Sequence, residues 1–466
     1  MELQFYNTLG RQLMPFIPLE EGKAGMYTCG PTVYNYAHIG NLRTYLFEDF
    51  LRRVLEFLGF QVKHVMNVTD VGHLTDDADS GEDKMLKSSR ESGRSVWEIA
   101  EMYTRAFFRD TDRLNILRPT ITCKATEHIP EMIQLVQRLE ERGFTYESGG
   151  NIYFSIDRFP DYGKLALLDI QDLKAGARTG IDSNKRNPHD FVLWFTRSKF
   201  EHQTMLWDSP WGKGYPGWHL ECSAMSMKYL GEQFDIHCGG VDHIPVHHTN
   251  EIAQSEAATG KKPWVRYWLH GEFLLIDREK MSKSKGGFLT LERLIEEGFD
   301  PLDYRYFCLG GHYRSQLQFS FEGLKAARTA RKNLLERISR WERPRPEDKT
   351  HYSEKGNIYL ENFRSHVSMD LNTPQALADL WALVKDPDLD EREKHRLVQE
   401  MDRVLGLHLT EIVEEPLDPE LEALIQEREQ ARKARDFVRS DEIRDLLKSR
   451  GILLEDTPAG TRWKRI

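Results

Sequence analysis

Cysteine is scarce in this chain: five residues in 466, at positions 29, 123, 222, 238 and 308. An odd number so widely scattered is a poor disulfide framework, which argues against a cross-braced secreted scaffold. Long apolar runs are also missing. None approaches the roughly 20 residues that a bilayer span needs, so no membrane attachment is expected. Residues 1–16 show no basic segment followed by an apolar stretch and a small-residue cleavage site. No secretory signal is read there, and a cytoplasmic address is the expectation. Two familiar phosphate-binding signatures, GxxxxGK[ST] and GxGxxG, are absent, so any use of ATP requires another device. Positive charge is not in excess either. The formal net charge is -10, which argues against indiscriminate nucleic-acid binding while leaving room for a local basic patch.

What is present describes an ordinary globular protein: 39% hydrophobic and 30% charged residues. The chain is too long for one compact core, and two to four domains are expected. Met26 to Cys29 reads as a short buried strand closed by Gly30 and Pro31. From Leu42 the apolar positions Leu46, Phe47, Phe50, Leu51, Val54, Leu55 and Leu58 follow the spacing of a helix with one buried face. Gly59 ends it, and Phe60 to Val68 reads as a second strand. Strand, helix and strand suggest a βαβ unit with a parallel sheet. Residues 123–214 break this pattern and read as an insertion. The α/β pattern resumes with a strand at Phe234 to Cys238 and a helix from about Val246 to Ala258. Another strand, Phe273 to Ile276, follows. Beyond Thr290 the chain is helical and charged. Breaks at Pro344 with Pro346 and at Pro416 with Pro419 are linker candidates.

His38-Ile39-Gly40-Asn41 falls between the first strand and the first long helix. Parallel-sheet proteins bind ligands beyond the carboxyl ends of their strands, and a helix starting there turns its dipole toward phosphates. Gly40 permits close approach of the backbone. His38 and Asn41 can donate hydrogen bonds to phosphate oxygens. Read alone, the tetrapeptide is equally a capped helix start with a surface histidine. Lys280-Met281-Ser282-Lys283-Ser284 follows a strand as a basic loop whose lysines can neutralise a leaving pyrophosphate. Together, in this order, the two segments resemble the HIGH and KMSKS signatures of class I aminoacyl-tRNA synthetases.

Cys29 ends the first strand. Cys222 lies in Gly217-Trp218-His219-Leu220-Glu221-Cys222-Ser223. His247 and Glu251 are four apart on an expected helix, hence on one face. Two thiolates, an imidazole and a carboxylate suit Zn²⁺. None forms a CxxC pair, so the spacing equally allows buried structural cysteines. Within the synthetase context these segments are similar to those of the cysteinyl-tRNA synthetase family. The resemblance rests on Cys29-Gly30-Pro31-Thr32-Val33-Tyr34, on residues 217–225, on His247-His248-Thr249-Asn250-Glu251-Ile252-Ala253-Gln254-Ser255, and on the end from Glu455 through Trp463. It covers nearly the whole chain.

The resemblance implies an α/β fold. A Rossmann-type catalytic domain would occupy 1–122 and 215–290, interrupted by a connective insertion at 123–214. A stem-contact region at 291–343, a helical bundle at 344–413 and an anticodon-binding end at 414–466 would follow. The implied activity is ATP-dependent activation of L-cysteine and its transfer to tRNA(Cys), by a monomer with one Zn²⁺ and with Mg²⁺ accompanying ATP. The implied metal ligands are Cys29, Cys222, His247 and Glu251. ATP would meet His38, Gly40, Asn41, Lys280, Ser282, Lys283 and Ser284, with His38, Asn41, Lys280 and Lys283 catalytic. Thr69 and Trp218 would line the cysteine pocket, and Arg435, Arg462 and Trp463, the last an exposed aromatic, would meet tRNA. Zn²⁺ gives a reason for the set, since it binds thiolate strongly and a serine hydroxyl poorly.

Three departures from the family pattern stand out. Asn41 replaces a histidine in HIGH, Lys285 replaces the usual leucine after KMSKS, and residues 242–246 read Asp-His-Ile-Pro-Val. His243 and His248 are then further imidazoles beside the ligand set. Two other readings of the chain are a mycothiol-pathway ligase joining cysteine to an amino sugar, and a non-catalytic RNA-binding paralogue. The C-terminal extension separates the first from a synthetase; the intact lysines and ligand set separate the second.

Overall fold

A computed structural model describes residues 2–71, 84–167, 183–197, 205–276, 289–345, 347–348, 351–411, 419–457 and 460–465. Two compact units are present, Met1–Thr410 and Glu411–Ile466. No helix among the described residues is long and apolar enough to cross a membrane.

The larger unit begins with an antiparallel hairpin of β1 (Gln4–Asn7) and β2 (Gln12–Pro15). β3 (Lys23–Thr28) then enters a parallel sheet, helix Ile39–Phe57 crosses over, and β4 (Gln61–Val68) pairs beside β3. β5 (Ile121–Lys124) takes the edge and carries Cys123. A separate antiparallel sheet follows, made of β6 (Thr145–Ser148), β7 (Asn151–Phe154), β8 (Phe191–Phe195) and β9 (Tyr215–Pro216). β10 (Phe234–Gly240) and β11 (Val265–Gly271) return to the first sheet, whose order is β11-β10-β3-β4-β5. The connections leave β3 in one direction and rejoin it from the other. The reversal between β3 and β10 opens a crevice at their carboxyl ends, where open α/β sheets bind ligands.

The strand expected at Phe273 to Ile276 forms, and its pairing is local. β12 (Leu274–Ile276) does not join the main sheet; it pairs in parallel with β13 (Leu317–Phe319). Residues 280–284, with Lys280, Ser282, Lys283 and Ser284, lie outside the described residues.

Helix Ile39–Phe57 departs from the one-faced helix that its apolar spacing suggests. Its apolar stripe is buried, but so are Arg43, Glu48, Asp49 and Arg53. The cause is a second layer. Helices Pro301–Leu309, Phe321–Ile338, Glu354–Ser368, Thr373–Lys385 and Glu391–Leu405 share one apolar core with it, including Leu51, Leu309, Phe363, Leu380 and Val404. Asp49 answers the buried arginines. Arg305 Nη2 donates to its Oδ2 at 2.6 Å and Arg53 Nε to the same oxygen at 2.7 Å, while Leu117 N donates to Oδ1. Burial would raise this carboxyl, but Arg305 and Arg53 hold it below the usual range. Arg43 has no carboxylate of this kind among the described residues. Its Nη1 donates to the carbonyls of Glu272 and Phe273 at 2.7 and 2.6 Å, and its Nη2 to those of His312 and Ser315 at 3.2 and 2.5 Å.

The smaller unit has helices Pro419–Lys433 and Phe437–Ser449 and a hairpin of β14 (Ile452–Thr457) and β15 (Gly460–Arg465). Its core is Ile443, Leu447, Ile452 and Leu454.

Removing one member of a buried ion network strands the others, at a cost of about 3–5 kcal/mol. Asp49→Ala leaves two buried guanidinium groups without their carboxylate. The variant is expected to lose stability on that scale, read as a lower urea midpoint for the larger unit. An unchanged midpoint would show that backbone carbonyls alone suffice for Arg305.

Candidate metal and nucleotide site

A cleft of about 350 Å³ lies at the carboxyl ends of β3 and β10. Cys29, His38, Asn41, Trp218, Asp242 and His243 are among its walls. On one side is the start of helix Ile39–Phe57. His38 is its N-cap, and Asn41 completes a capping box: His38 Nδ1 accepts from Asn41 N, and Asn41 Oδ1 accepts from His38 N, both at 3.2 Å. Burial lowers the pKa of His38. A neutral imidazole that accepts at Nδ1 carries its proton on Nε2, so the ring is a donor on that edge. The carbonyl end of Asn41 is used in the cap, which leaves its NH₂ end as the donor. A Cβ on Gly40 would stand 2.9 Å from the His38 ring, so glycine here lets the histidine fold back over the first turn.

Described residues on either side of 277–288 are tied to this same turn. Ahead of them, the carbonyls of Glu272 and Phe273 bind Arg43, one turn along the helix. Behind them, Leu289 O accepts from Ile39 N at 2.8 Å, and Thr290 bridges to His38.

The four sulfur, nitrogen and oxygen ligands come together in the interior. Atoms of Cys29, Cys222, His247 and Glu251 all lie within 4.8 Å of one another, and all four residues are buried. Cys29 follows the end of β3, where its N–H donates to Cys238 O on β10. Helix Trp218–Leu230 supplies Cys222, and helix His247–Thr259 supplies His247 and Glu251 from successive turns of one face. His247 Nε2 lies 2.8 Å from Glu251 Oε1. Trp218 stacks on His247 with ring centroids 4.1 Å apart.

Protons hold this arrangement together. Cys222 is lowered to about 6, chiefly by a hydrogen bond from Cys29 against the cost of burial. Burial pushes Cys29 well up. Burial alone would also lower His247, but Glu251 and Cys222 reverse that and raise it to about 10. Burial would raise Glu251, yet His237 and His247 bring it to about 2. A thiolate, a carboxylate and an imidazolium in one buried space are what a divalent cation would convert into ligands by displacing protons. The donor set fits Zn²⁺ in kind and number.

Sequence reasoning passed over most of the surrounding imidazoles. His237, on β10, donates from Nε2 to Glu251 Oε2 at 2.9 Å. His248 Nε2 lies 3.3 Å from Cys29 Sγ, its Nδ1 meets His270 Nε2 at 2.8 Å, and His270 Nδ1 meets Thr8 Oγ1 at 2.7 Å. His219 Nδ1 faces His247 Nδ1 at 3.0 Å. A signal was available: six of the 17 histidines fall between positions 219 and 270.

Other expected site residues have different settings. Thr69 is buried, accepts from Asn67 Nδ2 and donates to Glu221 Oε2 at 3.2 Å, and it is not among the walls of the cleft. Cys123, Cys238 and Cys308 are buried free thiols. In the smaller unit Arg435 is exposed in a left-handed turn at φ 60. Trp463 is half-buried, not exposed, because one face packs on the core around Leu447 and Leu454. Arg462 lies opposite Glu455 in the hairpin. The flanking charges are largely exposed ion pairs, such as Arg439 with Glu427 at 2.8 Å and Arg450 with Glu420 at 2.9 Å.

Comparison with known proteins adds an independent line. Residues 15–329 match the family of class I (C) tRNA synthetase catalytic domains, and residues 414–463 match the cysteinyl-tRNA ligase anticodon binding domain. The cysteine–tRNA ligase of Treponema denticola is 55% identical over 493 residues, covering 100% of both chains. Cysteine–tRNA ligase 1 of Burkholderia lata is 50% identical, covering 99% of this chain and 97% of that one. Among solved structures, Mycobacterium tuberculosis methionyl-tRNA synthetase in complex with methionyl-adenylate is 14% identical. It covers 83% of this chain and 91% of its own, with a TM-score of 0.57. The Agrobacterium radiobacter K84 LeuRS, in a ternary complex with tRNA and LeuAMS, is 11% identical over 85% of each chain, with a TM-score of 0.55. At those identities the two structures speak to the fold alone: a Rossmann-like sheet with a helical C-terminal half.

One outcome follows for the metal-stripped protein. A raised imidazole contributes stability that is complete below its usual pKa of about 6.5 and is lost as pH rises through the folded value. For His247 that folded value is about 10. His247 is therefore expected to stay protonated through neutral pH, and Glu251→Gln is expected to bring its titration down. NMR titration of the histidine side chains reads this directly. An unmoved His247 in the variant would mean that the carboxylate is not the cause.

Proposed function

The chain belongs to the cysteine–tRNA ligase family of class I aminoacyl-tRNA synthetases, and we propose that it selects its amino acid through one Zn²⁺ held by Cys29, Cys222, His247 and Glu251. The observation that carries this reading is the convergence of those four buried donors within 4.8 Å. Cysteine and serine differ only by sulfur against oxygen, a pair that an apolar pocket separates poorly. When bound, Zn²⁺ supplies affinity for a thiolate that a hydroxyl lacks. Trp218, stacked on His247 at the cleft wall, would cover the side chain of the bound cysteine.

The reaction is ligation of cysteine to tRNA in two stages. The cysteine carboxylate attacks the α-phosphate of ATP, giving cysteinyl-adenylate and pyrophosphate. A hydroxyl of the 3′-terminal adenosine of tRNA(Cys) then attacks the carbonyl carbon of the adenylate, forming the ester as the acyl–phosphate bond breaks and AMP leaves. No protein nucleophile is needed; positioning and charge stabilisation suffice. His38, donating from Nε2, and the NH₂ end of Asn41 would meet phosphate oxygens at the helix start. Gly40 keeps that approach open. Lys280 and Lys283, with Ser282 and Ser284, would take the departing pyrophosphate, and Mg²⁺ would accompany ATP. Support for this side of the site comes from the anchoring of residues 272, 273 and 289 beside the same helical turn. Thr69 would act through Glu221 rather than touch cysteine itself. Arg435, Arg462 and Trp463 would meet tRNA, Trp463 offering only its outer face. A single chain in the cytoplasm, without a membrane, is enough for this chemistry. The matched anticodon-binding region favours this reading over a ligase that joins cysteine to an amino sugar.

ATP–pyrophosphate exchange, run with each amino acid in turn, is expected to respond to cysteine and scarcely to serine. Cys222→Ala is expected to lower cysteine-dependent exchange by about two orders of magnitude or more, the scale of losing a metal contact worth several kcal/mol. A fully active protein containing no zinc or substitute metal would sink the account. Discrimination against serine would then rest on pocket shape alone.

Lys283→Ala tests the other side of the site. Exchange is expected to fall about 100- to 1000-fold, as on removal of one transition-state donor. An undiminished rate would take residues 280–284 out of the mechanism.

A further inference from the structure

We infer that the chain holds a second, overlapping metal position, formed by Cys29, His237, His248 and Glu251. The inference rests on the zinc reading above to the extent that Cys29 and Glu251 belong to both sets.

Donor atoms of these four buried residues again all lie within 4.8 Å of one another. Their separations suit a common ion. A tetrahedral site with sulfur at about 2.3 Å and nitrogen or oxygen at about 2.0–2.1 Å has edges of about 3.3–3.6 Å. His248 Nε2 to Cys29 Sγ is 3.3 Å and His237 Nε2 to Glu251 Oε2 is 2.9 Å, while the other oxygen, Oε1, lies 4.0 Å from His248 Nε2 and 2.8 Å from His247 Nε2. A shared ion would draw Glu251 Oε2 and the two imidazoles to a common centre.

The imidazoles are also built as ligands are built. A metal-binding histidine usually has its second nitrogen held by a fixed partner, which sets the ring's direction. His248 Nδ1 is held by His270, which is held in turn by Thr8. His237 Nδ1 faces the Cys238 carbonyl at 3.3 Å, and its ring stacks on Trp268 at 4.7 Å. Each therefore turns Nε2 toward Cys29 and Glu251. The approach of His248 depends on Gly239, where a Cβ would stand 2.9 Å from its ring and 2.4 Å from His243 Nδ1.

The two positions differ in chemistry. The first offers two sulfurs, one nitrogen and one oxygen; the second offers one sulfur, two nitrogens and one oxygen. With both thiolates present a thiophilic ion favours the first. Loss of Cys222 or His247 leaves the second set whole. Cys222 and His247 belong only to the first position, so in their absence an ion remains in the protein while cysteine detection fails.

Cobalt(II) titration of the full chain separates the cases, because thiolate-to-cobalt absorption counts sulfur ligands. The intact chain is expected to bind one equivalent with a two-thiolate spectrum. Cys222→Ala is expected to keep one equivalent with about half that absorption, as for one thiolate. Cys222→Ala combined with His248→Ala is expected to take up none. His247→Ala reaches the same position by another route, going from two thiolates to one, so a misfolded Cys222 variant does not decide the matter. Failure of both single variants to bind cobalt, with the intact chain binding normally, overturns the second position and leaves the first standing. Retention by the double variant also overturns it. An intact chain without thiolate-to-cobalt absorption would instead remove the zinc reading.

Discussion

One guanidinium, that of Arg43, holds together the parts on which the rest depends. It sits one turn into the helix that opens at His38. It reaches four carbonyls on two other segments, Glu272 with Phe273 and His312 with Ser315. The first pair stands just before β12, and the second stands just before β13. A buried cation answered by carbonyl dipoles is specific about geometry, since each N–H of the planar fork has its own direction. Lysine could not reproduce it. Through this residue the helix start, the strand before residue 277 and the entry to the helical half keep fixed positions. The nucleotide side of the cleft depends on all three.

The metal side depends on a different constraint, the crossing point between β3 and β10. Cys29 follows one strand, and His237 lies within the other. Two helices then close over the crevice from the following segments. Charge is balanced inside by pairing: the carboxylate of Glu251 stands against His237 and His247, and the thiolate of Cys222 against Cys29 and His247. Pairing of this kind is what lets Glu251, His247 and Cys222 stay charged in a dry interior. On the proposed reading, a cation entering this pocket would take the place of its protons.

Much of this was legible in the sequence. The βαβ order and the helix start at His38 follow from pattern; the four donors of the quartet came through the family resemblance, since their spacing equally allowed buried structural cysteines. What was not legible has physical reasons. Periodicity marks an apolar stripe, and it read helix Ile39–Phe57 as buried on one face. It could not show that Arg43, Asp49 and Arg53 face a second layer built 250 residues later, where Arg305 supplies the answering charge. β12 carries a strand's residues, but pairing depends on neighbours, and its neighbour is β13 rather than the main sheet. His237, His219 and His270 are ordinary within their own segments. Only the fold brings them against Glu251, His247 and His248 respectively. Trp463 read as exposed because it lies among arginines, yet alternation in β15 turns one of its faces onto Leu454.

The shared core around helix Ile39–Phe57 also bears on what could be removed from the protein. A nucleotide-binding sheet is often thought of as a self-sufficient module, with later helices as attachments. Here a fragment ending near residue 290 would bare the apolar side of that helix. It would also leave Asp49 and Arg53 facing water without Arg305, and deprive Arg43 of two of its four carbonyls. The smallest heritable piece with a complete interior therefore runs to about Thr410. Insertions, fusions and split-protein designs have their natural seam there rather than at the end of the sheet.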